Sequence, residues 1–405
     1  MFRAIPDFGH INLISRNILT KYFSSIPPSQ HNCDPNYVKK IISRRGVHLD
    51  RTPLKNADDE SSARRKSNSS DESRCKKIIC RKARTILVAI VGGGYTPMYT
   101  TLLLKQNPAI REIHVIDTND SLASPVCDMR QIDTSATVKH YKMKHIIDGL
   151  RNVDIVALMD ESDFSLGNKG PYNQFTSCFD YVKKNTECMV KACPDAIVAV
   201  FTRPVTATVP LISEVFKKSG IWDPNKIIGS AALESIRITS MMANHLNLSP
   251  SSVKVPIAGG VDSSTTVPLL SRIQPSYDFS IEDQCSFIHQ FKAIDEKIHE
   301  TEQKSPILSS SVAAAKFLSS LVNGLDGHAV AMENAYVRSD VLPFCPYMTS
   351  EVLFGPNGVK KNFGLPKISA RDVALVEQAA SMIGKITDTV GRFVSTGRVE
   401  NKANE

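Results

Sequence analysis

ILVAIVGGGYTP, residues 86–97, decides the fold of this 405-residue chain. Its first part, Ile86–Val91, is an unbroken apolar run rich in β-branched residues, which is typical of a strand buried on both faces. Three glycines follow, and then a helical stretch around Thr100–Lys105. A buried strand, a glycine turn and a helix form the opening of a dinucleotide-binding sheet, because glycine lets the backbone approach a pyrophosphate.

Strand and helix signals alternate on the carboxyl side of this stretch. Further strands are predicted at 112–117, 154–159 and 196–201, and helices at 175–192 and 205–218. After residue 225, helices are predicted at 232–246, 281–299, 309–325 and 370–394, among hairpin-like strands at 253–257 and 328–337. Buried strands separated by helices indicate a parallel sheet with helices on both faces. The sequence therefore predicts an α/β fold: a Rossmann-type parallel sheet over 85–229, followed by an α+β domain over 230–397.

The glycine turn is the first candidate site. Gly92 and Gly94 match the first two glycines of G-x-G-x-x-G, but Pro97 stands where the third is expected. Asp117 ends the second predicted strand, where an acid accepts hydrogen bonds from ribose hydroxyls. The alternative is structural: glycine turns also follow first strands without any ligand, and Asp117 then only ends a strand.

The positive charge of the chain lies at its amino-terminal end. Residues 1–84 hold 18 Lys and Arg against 8 Asp and Glu, whereas the remaining residues hold 31 against 33. Residues 1–30 combine basic residues with an apolar helical face, which predicts a mitochondrial transit peptide and a location in the matrix. An untargeted tail is the alternative.

Residues 31–84 are polar and mixed in charge, so they are predicted to be disordered. Nucleic-acid binding by this basic tail is a second alternative. It is disfavoured because no aromatic residue is interleaved for base stacking among the basic residues that would bind, Arg64, Arg65, Lys66, Lys76 and Lys77.

The nine cysteines and the apolar runs exclude several other classes of protein. The cysteine number is odd and the chain is long, which favours free thiols in a reducing compartment over a disulfide framework. No cysteine pair has zinc-ligand spacing with a histidine nearby, so no metal site is predicted. The longest apolar run, Ile86–Val91, is far shorter than the ~20 residues that cross a bilayer, so no membrane association is predicted.

Six segments carry a resemblance to a known family. They are LLLKQNP (102–108), ATVKHY (136–141), ACPDAIVAVFTRPV (192–205), EVFKKSGIWDPNKIIG (214–229), VPIAGG (255–260) and KKNFGLPKIS (360–369). In this order they resemble the mitochondrial-type malate dehydrogenases of the lactate/malate dehydrogenase family, over roughly residues 85–397. The resemblance implies the family fold, NAD as cofactor, malate or oxaloacetate as the dicarboxylate substrate, and a homodimer.

Catalytic positions can be carried over residue by residue. The family's catalytic His follows the glycine pair of its VPVIGGH-like motif, and Val261 stands there in this chain. The Asp that orients this His corresponds to Glu234. Hydride transfer from a hydroxy acid needs a base for the hydroxyl proton, and valine has no group that can accept one.

Substrate-binding positions have also changed. Arg237 matches one family arginine and is retained, with a helical ion pair to Glu234 at i, i+3 as the structural alternative. The mobile loop, residues 160–170, lacks the family's two arginines; Lys169 lies near the second position, and three acids have entered the loop. The Asn that helps bind substrate and nicotinamide corresponds to Arg203.

These substitutions predict a mitochondrial malate dehydrogenase homologue that is catalytically impaired or inactive and acts by association. Its partner would be a second copy or an active paralogue in a heterodimer. The alternative is an active NAD-dependent L-malate dehydrogenase of the tricarboxylic acid cycle with an altered site.

Overall fold

A computed structural model describes residues 86–162, 171–302, 306–327 and 331–396. The predicted transit peptide (1–30), the predicted disordered tail (31–84) and Lys169 lie outside the described residues. Among the residues described, no helix is long and apolar enough to cross a membrane.

The described chain forms alternating strands and helices. The strands are β1 (Ile86–Gly92), β2 (Ile110–Asp117), β3 (Thr137–Lys142), β4 (Ile155–Leu158), β5 (Ile197–Val200), β6 (Ile227–Ser230), β7 (Ile257–Gly259), β8 (Thr266–Pro268), β9 (Met332–Leu342), β10 (Cys345–Gly355) and β11 (Gly358–Asn362). The helices are α1 (Tyr95–Leu104), α2 (Ala123–Met129), α3 (Ile146–Gly149), α4 (Pro171–Ala192), α5 (Val205–Lys218), α6 (Ala232–Leu246), α7 (Ile281–Lys292), α8 (Ile294–Glu302), α9 (Ile307–Leu325) and α10 (Ala370–Thr396).

Nine strands form one sheet in the order β11-β10-β9-β6-β5-β4-β1-β2-β3. The six from β3 to β6 are parallel, with β1 at the centre, which confirms the predicted Rossmann-type sheet. Along β1, alternate residues pack into two different hydrophobic clusters, because the sheet has helices on both faces. One cluster includes α4, α5 and α10, and the other includes α1 and α9.

The carboxyl-terminal strands extend this sheet. β9 pairs antiparallel with β6, and β10 and β11 continue the sheet beyond it. The predicted strand at 328–337 is thus β9, displaced toward the carboxyl end. The predicted strand at 253–257 overlaps the observed strand only at its last residue. Lys254 forms an isolated bridge with Gln274, and β7 begins at Ile257 and pairs with β8 in a separate two-stranded sheet.

One predicted helix is divided in two. The segment 281–299 forms α7, whose amino terminus is capped by the Ser280 side chain, and α8. Ala293 ends α7, and α8 starts at the next residue. This break is important for the site, because it brings the start of α8 beside α6.

Candidate functional site

The glycine turn joins β1 to the amino terminus of α1. Gly94 has φ of 83°, a left-handed conformation that glycine adopts without strain. A Cβ on Gly93 would lie 2.2 Å from the Glu161 carbonyl oxygen, so only glycine fits this close approach. The Gly93 N–H donates to the Asp160 carbonyl oxygen at 3.1 Å. The chain after β4 therefore packs directly on the turn.

Pro97 is the third residue of α1, and its ring packs against the backbone of Gly92. A proline is tolerated there because the first-turn N–H groups have no intrahelical acceptor. The strand, the glycine turn and the helix amino terminus still fit the pyrophosphate of a dinucleotide. Gly92 and Gly94 are the residues that would hold it.

Asp117 lies at the end of β2 with its side chain fully buried. Its Oδ1 accepts from the Asn119 N–H at 3.0 Å, and its Oδ2 accepts from the Leu122 N–H at 2.7 Å. Both oxygens therefore hold the turn that leads into α2. The carboxylate predicted to contact ribose has no solvent-exposed surface from which to do so.

A cavity of about 50 Å³ opens at the carboxyl ends of β4, β5 and β6. This edge is where open α/β sheets bind their ligands. The cavity is lined by Thr96, Met159, Asp160, Phe201, Arg203, Val205, Ser230, Leu233, Glu234, Val261, Ser310, Ala313 and Ala314. The volume is well below the roughly 300–1,000 Å³ that is typical of ligand pockets. Three of the predicted site residues, Arg203, Glu234 and Val261, meet here.

Arg203 is neutralised by Asp160. The Asp160 carboxylate accepts from the backbone N–H of Arg203 at 2.9 Å and from its guanidinium at 3.2 and 3.3 Å. Burial lowers the pKa of Arg203, but the combined attraction of Asp160, Asp295 and Glu234 outweighs burial and leaves the pKa above its ordinary value. The two residues follow neighbouring parallel strands, β4 and β5, whose carboxyl ends lie side by side.

Glu234 stands in the first turn of α6 and is 8% exposed. Its Oε2 atom is buried and has no hydrogen-bond partner among the described residues. Burial raises the pKa of this carboxyl to about 7, against the lowering effects of its own backbone N–H, Arg237 and Arg203. Glu234 therefore changes charge near neutral pH.

Arg237 pairs with a different helix. Its Nη2 lies 2.9 Å from Asp295 Oδ1, and Asp295 is the second residue of α8. Arg237 thus forms its ion pair with Asp295, and its charge also lowers the pKa of the Glu234 carboxyl one turn away.

Val261 is 4% exposed and presents only methyl groups to the cavity. Its backbone N–H donates to Thr206 Oγ1 at 2.9 Å, and that hydroxyl donates to Asp262 Oδ2 at 2.7 Å. Asp262 also accepts from the N–H groups of Ser264 and Thr265. Since its carboxylate is committed to this turn, the residue next to Val261 does not supply the missing base.

Sequence reasoning missed two features of the site. The pairing of Asp160 with Arg203 could have been inferred, because both residues directly follow adjacent parallel strands. The contribution of Asp295 could not, since it depends on how α8 packs against α6.

Comparisons with known proteins agree with this architecture. The family model for the lactate/malate dehydrogenase NAD binding domain matches residues 86–229, and that for the alpha/beta C-terminal domain matches residues 231–394. The mitochondrial malate dehydrogenase of Sus scrofa is 29% identical over 300 residues, covering 73% of this chain and 87% of that protein. Its counterpart in Caenorhabditis elegans is 29% identical over 314 residues, covering 75% and 88%.

Solved structures show the same fold at lower identity. A malate dehydrogenase from Cryptosporidium parvum superimposes with a TM-score of 0.66 at 19% identity, covering 76% of this chain and 99% of that one. A lactate dehydrogenase from the same organism, complexed with lactic acid and NAD, gives 0.65 at 16% identity, covering 76% and 98%.

Proposed function

This chain belongs to the lactate/malate dehydrogenase family, and from that premise we propose that it no longer interconverts malate and oxaloacetate at an ordinary rate. The observation that carries the proposal is that Arg203, which lines the cavity, and Arg237, one turn beyond Glu234 on α6, both form ion pairs within the protein. Asp160 accepts two hydrogen bonds from the Arg203 guanidinium, and Asp295 lies 2.9 Å from Arg237 Nη2 as an ion pair. A substrate carboxylate would therefore compete with an aspartate at either guanidinium for the bidentate contact that it prefers.

The absent base supports the same conclusion. When bound, NAD supplies the hydride-accepting nicotinamide, and the family domain at 86–229 is an NAD binding domain. Within the cavity, Val261 contributes only apolar surface, and Glu234 is a neighbouring group that takes up a proton close to neutral pH. Loss of a general base typically costs ~10²–10⁴ in rate, and loss of a carbonyl-polarising cation adds a comparable factor.

Loss of NADH absorbance with oxaloacetate tests the proposal. We expect the purified full-length chain to turn over at least ~10³-fold more slowly than an ordinary malate dehydrogenase assayed in parallel. Turnover within about ten-fold of that enzyme would establish the alternative, an active malate dehydrogenase.

A double replacement, Val261→His with Glu234→Asp, sharpens this test. It restores the histidine and its orienting aspartate, but it leaves Arg203 and Arg237 in their ion pairs. We therefore expect no substantial rescue, with folding checked by thermal unfolding. Recovery of most of the family's activity would show that the paired arginines are not the obstacle.

We also propose that the protein acts in mitochondria by association, as a homodimer or as a subunit paired with an active paralogue. The mitochondrial relatives and the intact nine-stranded scaffold support this. Import of the full-length chain into isolated mitochondria, with shortening of its amino terminus, tests the location. Co-expression with a tagged active paralogue tests the pairing: a stable mixed dimer supports it, and separate elution of the two chains contradicts it.

A further inference from the structure

Within the part of the chain that the structure describes, Glu234 is the cavity acid that forms no ion pair of its own. Around it, the described residues supply Arg237 from its own helix, Asp295 from α8, Arg203 from the turn after β5 and Asp160 from the end of β4. The remaining contacts from α1, α9 and the end of β7 carry no charge: Thr96, Ser310, Ala313, Ala314 and Val261. Each arginine forms an ion pair with one aspartate, so an ionised Glu234 leaves this group of five described side chains with one excess negative charge.

The position of Glu234 makes that charge costly. The carboxyl is more than nine-tenths buried, and no donor of the described chain forms a hydrogen bond with Oε2. A buried charge without a partner is strongly disfavoured, and a ligand that supplies both the opposite charge and a donor relieves the penalty.

We propose that this cavity binds a small cation, the ammonium group of a primary amine, with Glu234 Oε2 as the accepting atom. This inference rests on the proposed loss of dicarboxylate chemistry, because it uses the same cavity with the opposite charge preference. The volume of about 50 Å³ suits a headgroup of a few heavy atoms. The apolar walls formed by Val261, Ala313 and Ala314 suit the carbon that bears the nitrogen.

A carboxylate-bearing ligand fits the described groups less well. It would have to compete with Asp160 for Arg203 or with Asp295 for Arg237, and it would then lie beside Glu234. Like-charge juxtaposition costs free energy, whereas an ammonium meets an acceptor that is already free.

Methylammonium chloride is the probe, with sodium chloride at equal ionic strength as the reference. The full-length protein is unfolded thermally across a titration of the salt, and the rise in Tm gives the apparent Kd. We expect a saturable rise at pH 8. Because the binding form is ionised Glu234, the apparent Kd should be about ten-fold weaker at pH 6.

Glu234→Gln keeps the shape of the side chain and removes the charge, so we expect it to abolish the methylammonium effect. Glu377→Gln, on the exposed face of α10, is the matched control and should keep it. The proposal is overturned if methylammonium gives no rise in Tm at pH 8, if the rise persists in Glu234→Gln, or if it is equal at pH 6 and pH 8.

Sodium acetate provides the opposing arm of the experiment. A larger stabilisation by acetate than by methylammonium would mean that an arginine is available to carboxylates, and it would overturn the proposed charge preference. The oxaloacetate assay decides the proposed function separately: an inactive protein that ignores methylammonium refutes only this inference.

Discussion

The last residue of β2 and the first turn of α6 each carry a buried carboxylate, and the two carboxylates differ in what they contact. Asp117 has a backbone N–H on each of its two oxygens. Glu234 has an oxygen with no partner, and burial raises its pKa to about 7. Burial alone therefore does not mark a functional acid. A satisfied carboxylate is part of the scaffold, and an unsatisfied one in a cavity is available to a ligand.

The largest effect is expected where the carboxylate is satisfied. Asp117→Ala leaves the exposed Asn119 N–H and the buried Leu122 N–H without their acceptor, and an unpaired buried donor costs about 1–3 kcal/mol. We expect the free energy of unfolding to fall by about 2–4 kcal/mol in a urea titration.

Asp128→Ala, on the exposed surface of α2, is the control and should change stability by less than about 0.5 kcal/mol. If Asp117→Ala were as mild as this control, the Asp117 carboxylate would not be holding the turn. The prediction that it contacts ribose would then stand again.

Glu234→Gln is expected to raise the free energy of unfolding, whereas Asp117→Ala lowers it. The folded pKa of about 7 lies above the ordinary value of 4.5, so the folded protein retains a proton that the unfolded chain has already released. Wild-type stability therefore falls as pH rises from 4.5 to 7, by on the order of 3 kcal/mol, and then levels off.

The glutamine variant lacks this dependence. We expect it to be more stable than the wild type by about 2 kcal/mol at pH 8 and nearly equal to it at pH 5. Urea titrations at both pH values measure the difference, with Glu377→Gln as the control. A wild-type advantage at pH 8 would show that ionised Glu234 is well compensated in the folded protein.

The sequence was sufficient to predict the parallel sheet and the main helices around it. The bounds of α5 and α6 coincide with the prediction, because local helical periodicity determines them. The extension of the sheet was not predicted, since the pairing of Gly229 with Tyr336 joins residues far apart in sequence.

The same limit applies to the site. The resemblance indicated which residues replace the catalytic ones, and the structure brings Glu234, Val261 and Arg203 to one cavity. The i, i+3 spacing offered Glu234 as an ion-pair partner for Arg237, whereas the packing of α8 against α6 places Asp295 beside its guanidinium. Whether a charge is free or taken depends on tertiary contacts that local patterns do not contain.

Asp160→Asn tests whether neutralising an arginine closes the cavity to carboxylates. The amide keeps an oxygen for the Arg203 backbone N–H and removes the charge on the guanidinium's partner. Because both side chains are about one-third exposed, we expect a stability loss of only about 1 kcal/mol.

Ligand preference is the sharper readout for this variant. We expect acetate to stabilise Asp160→Asn and to leave the wild type unaffected. Asp195→Asn, which removes the exposed partner of Lys226, is the matched control. Equal responses of all three proteins to acetate would show that the ion pair with Asp160 does not control access to Arg203.

The smallest effect on stability is expected for Asp295→Asn. Its carboxylate is half exposed, so the pair with Arg237 contributes no more than about 0.5–1 kcal/mol.

The charge of Asp295 nonetheless acts on Glu234, because Asp295 raises the pKa of that carboxyl while Arg237 lowers it. Asp295→Asn removes the repulsion that raises this pKa, and it leaves Arg237 without its aspartate, so that Arg237 lowers the pKa more strongly. The midpoint of the pH-dependent stability change should therefore move below about 7. Asp340→Asn, which breaks an exposed pair with Arg338, should leave that midpoint in place. An unchanged midpoint in Asp295→Asn would mean that Asp295 does not affect the charge of Glu234. The carboxylates of Asp117 and Glu234 would then differ only in their hydrogen bonds.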